Sequence, residues 1–514
     1  MKVRKDSRWF WFRVGKNKLA LASISASVVM YLILAVGSSM SKSPWHDEGH
    51  FANPALNLAT KGFMGTTVLE GGTWLIGIER YTYWVMPLYL VLLAGWFKIF
   101  GFSFIAMRGL SIAWGLVALV AWSFIMKKLA DDWLVTLLTV ALLATDYIFI
   151  MNASTGRMDM MSAALGFAGL ACYLNWREGN LMRAVLVSQT LIVASGLTHP
   201  NGLLPFAGLL FLTLYFDRSR LSWRHIGIAA VPYIVGALCW GAYVLKDPSA
   251  FRSQFAGNTG GFSAMSGANR WVGLTAPWTG IKLEITQRYL GSFGLASHSS
   301  GPARLKILVL VAYLIGVLGV VGTRRLRQHA GYRVLLILTG IFFLLLSVLE
   351  GHKSDVYLIN MIPLLAAALA VWIAWCWRSL FLPRWLLITC VVGVVTLQAG
   401  GVSYLISQNH YGTRYLPVVD YLKQHAATES LTMGSAELGF GLGFDHLTDD
   451  VWLGYYSGRK PDFIVMGRRY EDMARLFQTK KPEVYEFMQT RLRREYRPVY
   501  ELAPYWKVYQ RHQE

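Results

Sequence analysis

The chain has 514 residues, 54% hydrophobic and only 15% charged, with a mean hydropathy of +0.40. Soluble domains carry about 25% charged residues, so this composition excludes a soluble enzyme and reads as a polytopic membrane protein. A formal charge of +20 would suggest nucleic acid in a soluble chain, but here Lys and Arg cluster between apolar runs, as cytoplasmic loops facing anionic lipid do, so no nucleic-acid partner is expected.

The N-terminal stretch 1–18 is basic and carries the aromatic cluster Trp9-Phe10-Trp11-Phe12. It reads as a cytoplasmic tail with an interfacial anchor, leading into a first helix near 19–36. A cleaved signal peptide competes; a retained helix is preferred, because the chain that follows is itself membrane-embedded.

His46-Asp47-Glu48-Gly49-His50 comes directly after that segment. Charge leaving water costs several kcal/mol, so a carboxylate pair here is solvated, paired or at work. The spacing is H-x-E-x-H, one residue off the H-E-x-x-H of zinc proteases, which excludes that chemistry. A divalent metal held in another way by His46, Glu48 or His50 stays open, and no other cofactor is expected.

Further apolar stretches fall near 84–100, 106–126, 133–151, 160–176, 183–198, 201–216, 226–245, 304–323, 331–349, 355–376 and 384–404. Whether 84–100 crosses decides the side of everything after it. If it crosses, Lys127-Lys128, Arg218/Arg220/Arg224, Arg324/Arg325/Arg327 and Arg378/Arg384 all lie outside, against the positive-inside rule. The segment is aromatic-rich and broken early by Pro87, which suits an interfacial helix. That choice gives about eleven spanning helices. It places 39–105, 152–159, 199–200, 246–303, 350–354 and the part from about 405 outside.

Asp47, Glu48, Arg80, Arg157, Asp159, His199, Lys353 and Tyr357 then come to one face from different loops. Each has a plainer reading. Arg157 and Asp159 can be a solvated turn, Lys353 a snorkelling cation, Tyr357 a belt aromatic, His199 part of a tight turn and Arg80 a loop charge. Asp146, deep in an apolar run, reads as a helix-packing partner. The four cysteines, Cys172, Cys239, Cys376 and Cys390, fall in apolar segments and read as small core residues.

From about Tyr411 the composition changes. A helix near 415–427, strands near 429–433 and 462–466, a helix near 470–478 and closing strands near 498–510 make a small external α/β domain. The glycines of 434–443 do not fit G-x-G-x-x-G, so nucleotide is not expected. The domains are therefore 1–404, with the outer loop 39–105, and 405–514.

A carboxylate at the outer rim of a bilayer, near cations from other loops, suits attack of a hydroxyl on a sugar carried by a lipid phosphate. Asp47 would take the hydroxyl proton, and Lys or Arg would stabilise the departing phosphate. The order of motifs adds to this: the Asp47-Glu48 pair after the first helix, Pro87-Leu88-Tyr89, Trp96 to Gly101, Arg108, the Gly156–Asp159 turn, and Lys353-x-x-x-Tyr357 with Pro363. Together they resemble the GT-C superfamily of membrane glycosyltransferases, in particular the protein O-mannosyltransferases and the lipid A aminoarabinose and galacturonic acid transferases. The likeness is densest over 40–220 and thins toward 365.

The resemblance implies a polyprenyl-phosphate sugar donor, inversion at the anomeric carbon and an outer-face active site. It makes Asp47 the catalytic aspartate, Glu48 its partner and Asp159 the acid of the second outer loop, with Lys353 and Tyr357 gripping lipid phosphate. Where aminoarabinose transferases carry a lysine before their Pro-Pro-Leu, this chain has Val85-Met86. Arg80 or Lys353 would then serve the phosphate. The expectation is a bacterial inner-membrane glycosyltransferase with a periplasmic site and periplasmic C-terminal domain, acting on a lipid, glycan or protein hydroxyl. The alternatives are a transporter or flippase for a lipid-linked saccharide, and a non-catalytic binding subunit.

Overall fold

Backbone surrounded by hydrocarbon must satisfy its own hydrogen bonds, so long apolar runs fold as helices. The computed structural model describes residues 7–72, 74–258, 271–296 and 301–512. Part of the expected N-terminal tail, with its anchor side chains, and parts of the expected 246–303 loop lie outside the described residues.

The helices run α1 (Ser7–Ser41), α2 (His46–Lys61), α3 (Pro87–Phe100), α4 (Phe104–Ala130), α5 (Trp133–Thr145), α6 (Tyr147–Ala153), α7 (Met158–Trp176) and α8 (Leu181–Thr198). They continue through α9 (Leu203–Asp217), α10 (Trp223–Val244), α11 (Pro248–Ala256), α12 (Ile307–Gly322), α13 (Ala330–Leu349), α14 (Ile362–Ser379) and α15 (Arg384–Gln408). Every apolar stretch read from the sequence forms a helix. Among the described residues seven helices are long and apolar enough to cross a membrane, or eight if α5 and α6, bent by 61°, make one span. Helices α7, α9 and α12 fall short of that standard, so the eleven expected crossings remain an expectation.

The bend between α5 and α6 has a chemical cause. Asp146 caps α6 through the Phe149 N–H at 2.8 Å, and accepts from Tyr313 Oη at 2.7 Å and Gln398 Nε2 at 2.5 Å. It is the helix-packing partner expected of it. Helix α3, at 14 residues, spans about 21 Å against about 30 Å of hydrocarbon, which fits the interfacial assignment.

The C-terminal part holds α16 (Leu416–His425), β1 (Thr432–Met433), β2 (Leu447–Thr448), β3 (Phe463–Gly467), α17 (Arg468–Lys480), α18 (Pro482–Glu495), β4 (Tyr496–Leu502) and β5 (Trp506–Arg511). The sheet order is β2-β1-β3-β5-β4, parallel through β2-β1-β3 and antiparallel beyond. The sequence foresaw this domain without β2 and α18.

The apolar core has two levels. One cluster packs α1, α4–α9 and α12–α15 side by side. A second cluster joins Phe51, Ala52 and Ala55 of α2, Leu90 and Leu93 of α3, Met107 and Leu110 of α4, Met158 and Met161 of α7, and Val418, Leu438, Phe463, Val465 and Val508 of the C-terminal part. The outer loop and the α/β domain thus share one core rather than two. At Gly49 the approach is so close that a Cβ would lie 2.4 Å from the Ala436 carbonyl. The loop after α2 also joins the sheet edge, with Asp449 N bonded to Val68 O at 2.6 Å and Glu70 N to Asp449 O at 3.0 Å.

Candidate active site

Helix α2 starts at the DE pair, and its two carboxylates turn opposite ways. Glu48 points inward and is fully buried. Its Oε1 accepts from Arg108 Nε at 2.7 Å and the Gly156 N–H at 2.7 Å, and its Oε2 from Arg108 Nη2 at 2.7 Å and the Trp45 N–H at 2.8 Å. The last bond reaches back to the residue before the helix, as in a capping box. Gly156 has to be glycine: a Cβ there would fall 2.6 Å from Met107 Cγ.

Arg108 spends its remaining donors on Ser39 O at 2.6 Å, Lys42 O at 2.8 Å and Ser43 O at 3.0 Å. Burial alone would raise the Glu48 pKa, but the Arg108 charge and hydrogen bonds outweigh it and hold the carboxyl ionised. Lys42, beside the pair, is pushed down to about 7 by burial and then by Arg108. The sequence had Glu48 as a catalytic residue, the partner of the base Asp47. Both its oxygens accept from Arg108, Gly156 and Trp45 and it is fully buried, so it has no free oxygen for a sugar hydroxyl and is instead the anchor that ties α1, α2, α4 and the Gly156 turn together.

Asp47 faces out, 23% exposed, with Oδ1 at 3.3 Å from His46 Nε2 and 3.8 Å from His50 Nδ1. Its Oδ2 is paired with Arg157 Nη1. Arg157 in turn donates from Nε to Asp159 Oδ2 at 2.8 Å and lies 4.6 Å from the Trp45 ring centroid. Asp159 occupies the first turn of α7, where the helix dipole favours an anion. Its Oδ1 is buried and accepts no hydrogen bond among the described residues.

The wall continues through His199, which acts electrostatically on Asp159 and packs against Tyr357, with ring centroids 5.2 Å apart and the planes tilted by 49°. His199 Nδ1 also accepts from Asn201 N at 3.0 Å. Arg288 lies 5.8 Å from the Tyr357 ring and pairs with Glu284 and Glu350. Lys353 Nζ completes this group on Glu284 at 3.0 Å, Ser347 O at 2.8 Å and Leu346 O at 3.1 Å.

Six of the eight residues expected at one face therefore form a continuous contact chain: Asp47, Arg157, Asp159, His199, Tyr357 and, through Arg288, Lys353. Glu48 sits behind it. Arg80 does not join: it is 80% exposed and lies 3.9 Å from Glu79. Lys353 connects to this chain through Glu284 and Arg288, and its charge is matched by Glu284. An apolar groove of about 390 Å³, lined by Ile192, Leu197, Leu203, Phe206, Tyr233 and Trp240, runs beside the His199 turn.

The C-terminal domain closes the site from the other side, which the sequence did not anticipate. Asp449 is buried and accepts from His50 Nε2 at 2.9 Å, from the Ala436 N–H at 3.0 Å, from Tyr470 Oη at 3.2 Å and from Arg469 Nη1. Burial opposes its charge, but Arg469 and His50 prevail and keep it ionised far below the usual carboxylate range. Burial lowers the His46 and His50 pKa values, Arg469 adding to both, and raises Glu437 to about 7. Among the described residues no group of three or more His, Cys, Asp or Glu side chains is arranged to hold a metal. His46, Glu48 and His50 do not converge on one point, because Glu48 turns to Arg108 and His50 to Asp449.

The chain has the GT-C fold. Its structure resembles ArnT from Cupriavidus metallidurans bound to undecaprenyl phosphate, with a TM-score of 0.58 and 15% identity over 96% of this chain and 98% of that one. It also resembles the Archaeoglobus fulgidus oligosaccharyltransferase AglB in complex with an inhibitory peptide and a dolichol-phosphate, with a TM-score of 0.54 and 12% identity over 94% of this chain and 69% of that one. No protein-family model matches the sequence, and no curated protein does.

Proposed function

We propose that this protein is a membrane glycosyltransferase that moves one sugar from a polyprenyl-phosphate carrier to a hydroxyl of a lipid, glycan or protein at the extracytoplasmic face. The observation that carries the reading is Asp47: an acid on the accessible side of a buried ionic scaffold, touching the cation Arg157, in a fold shared with proteins whose structures hold undecaprenyl phosphate or a dolichol-phosphate.

Asp47 takes the proton as the acceptor oxygen attacks the anomeric carbon. The bond from that carbon to the phosphate oxygen breaks on the opposite face, and the configuration inverts. The leaving polyprenyl phosphate gains charge, which Arg157 stabilises. A phosphate competing for Arg157 also loosens that residue's hold on Asp47, so donor binding frees the base. Asp159 keeps Arg157 in place and offers Oδ1 to a sugar hydroxyl. His199 and Tyr357 line the approach, and the apolar groove beside them suits an isoprenoid tail. Lys353 and Arg80 take no direct part in this reading. The site faces the periplasm of a bacterial inner membrane.

The test uses purified protein in nanodiscs with undecaprenyl-phosphate sugars, together with mass spectrometry of lipid A, O-antigen and periplasmic proteins from cells with and without the gene. Asp47→Asn is expected to fold and bind lipid phosphate while losing transfer by roughly 10²–10⁴-fold. Lipid that crosses vesicles with its sugar unchanged, and indifference to Asp47→Asn, would replace this reading with a flippase.

A further inference from the structure

Behind Asp47 stands a histidine whose far nitrogen is held by an acid from the other end of the chain. His50 is buried; its Nε2 lies 2.9 Å from Asp449 Oδ2, and its Nδ1 lies 3.8 Å from Asp47 Oδ1. Asp449 accepts from Arg469, Tyr470 and the Ala436 N–H as well, so it has no proton of its own to give and can only accept from the ring. A neutral imidazole facing a fixed carboxylate carries its hydrogen on that side. The Nδ1 lone pair is then left facing Asp47.

We infer that His50 is a proton-relay residue behind the base Asp47, and that Asp449 of the C-terminal domain is the positioning residue that sets its tautomer.

The inference rests on the glycosyltransferase reading and adds to it a route for the proton. In the attack, the acceptor O–H bond breaks and its proton goes to Asp47, while the electron pair of the carbon–phosphate bond leaves with the lipid phosphate. Asp47 Oδ1–H then stands before the Nδ1 lone pair. An approach of about 0.6–1.2 Å, from 3.8 Å to the ~2.6–3.2 Å of a proton-transfer pair, makes that a hydrogen bond. Transfer to Nδ1 restores the Asp47 carboxylate beside Arg157 and leaves an imidazolium stabilised by Asp449. No oxidant or further reactant is needed.

His46 is nearer to Asp47 Oδ1, at 3.3 Å, but among the described residues no carboxylate lies within ion-pair distance of its other nitrogen. Its charged form is opposed first by burial and then by Arg469, His50 and Arg157, against the pull of Asp449. The charged groups facing His50 are Asp47 from its own helix and Asp449, Arg469 and Glu437 from the C-terminal domain; the rings of His46 and Trp84 pack against it. Burial is the largest influence and opposes the charged ring; of the domain groups Asp449 favours it and Arg469 opposes it, while Glu437 holds its own proton up to about 7. Asp449 is therefore the group that offsets part of the cost when the ring takes a proton.

Two measurements on the full-length protein in nanodiscs decide the matter. The first is ¹⁵N NMR of histidine-labelled protein, with His50 assigned by its loss in His50→Gln. A pyrrole-type Nε2 and pyridine-type Nδ1 in the wild type, scrambled in Asp449→Asn, is the expected result; an Nδ1–H tautomer overturns the inference with no reference to activity. The second is kinetic. His50→Gln keeps an amide donor for Asp449 and hence the docking of the domain, checked by protease resistance, but has no basic nitrogen. Its kcat is expected to fall 10- to 100-fold with KM within threefold, and the acid limb of the kcat profile to move to lower pH. A kcat within twofold of wild type, with an unmoved profile, overturns the relay and leaves the assignment of Asp47 standing. A wild type that transfers nothing overturns the glycosyltransferase reading and the relay with it, while the NMR result still decides whether Asp449 fixes the ring.

Discussion

Replacing Glu48 with glutamine changes one atom in the most enclosed ionic group of the molecule. The wild-type carboxylate accepts Arg108 twice at 2.7 Å, the Gly156 N–H at 2.7 Å and the Trp45 N–H at 2.8 Å, and neither Glu48 nor Arg108 reaches solvent. An amide oxygen can retain part of this pattern, but its NH₂ must then confront two donors, Arg108 Nη2 and the Trp45 N–H in one orientation or Arg108 Nε and the Gly156 N–H in the other. Arg108 is left as a buried charge without its counter-ion. Removing one partner of such a pair destabilises by about 3–5 kcal/mol, a large share of the roughly 5–15 kcal/mol that holds a folded domain.

The assay is reversible unfolding in mixed micelles, run as a double-mutant cycle with Arg108→Met. Each single variant is expected to lose about 3–5 kcal/mol, and the double variant less than the sum by more than about 1 kcal/mol, because removing both charges leaves neither stranded. The reasoning is refuted if Glu48→Gln unfolds at the wild-type midpoint yet transfers no sugar. That result would make Glu48 a chemical participant and the anchor assignment wrong.

Arg157→Lys keeps the charge but cannot reach Asp47 and Asp159 together while lying over Trp45; kcat/KM for the polyprenyl-phosphate donor is expected to drop by about 10- to 100-fold, and a drop under threefold would remove Arg157 from the site. Gly49→Ala drives a methyl into the Ala436 carbonyl, and is expected to cost about 1–3 kcal/mol and speed proteolysis of the C-terminal domain, as unchanged digestion would contradict. Glu437 keeps its proton in the folded state up to about 7, whereas the unfolded chain releases it near the ordinary carboxylate value. Its burden on stability is therefore absent in acid, grows as pH rises through that window and is complete above it, so the advantage of Glu437→Gln over wild type should climb to at most about 3 kcal/mol at pH 8. A gap that does not vary with pH would show that the carboxyl is already ionised.

The helices were legible because hydrocarbon leaves the backbone no other choice, and the loop charges sorted them well enough to bring Asp47, Arg157, Asp159, His199 and Tyr357 to one face. Pro87 marked the start of the short helix α3. What the sequence could not convey was orientation within a pair: adjacent residues on a helix point about 100° apart, so Asp47 and Glu48 differ in role because only one of those directions meets Arg108. Lys353 looked like a phosphate ligand because its partner Glu284 lies 69 residues away in sequence. Asp449 and Arg469 left only a faint signal, an Asp-Asp and an Arg-Arg doublet in a stretch already rich in charge. The bond from Asp449 to His50 spans 399 positions, and no local pattern encodes it.

The shared core of α2, α3 and the α/β domain has a consequence for biosynthesis. Residues 46–50 precede Asp449 and Arg469 by about 400 positions and so are made well before them. Until the later stretch has folded back, α2 lacks the apolar partners it has in the α/β domain and His50 lacks the Asp449 carboxylate. A chain cut short before Asp449 therefore carries its acidic pair on a helix without that support.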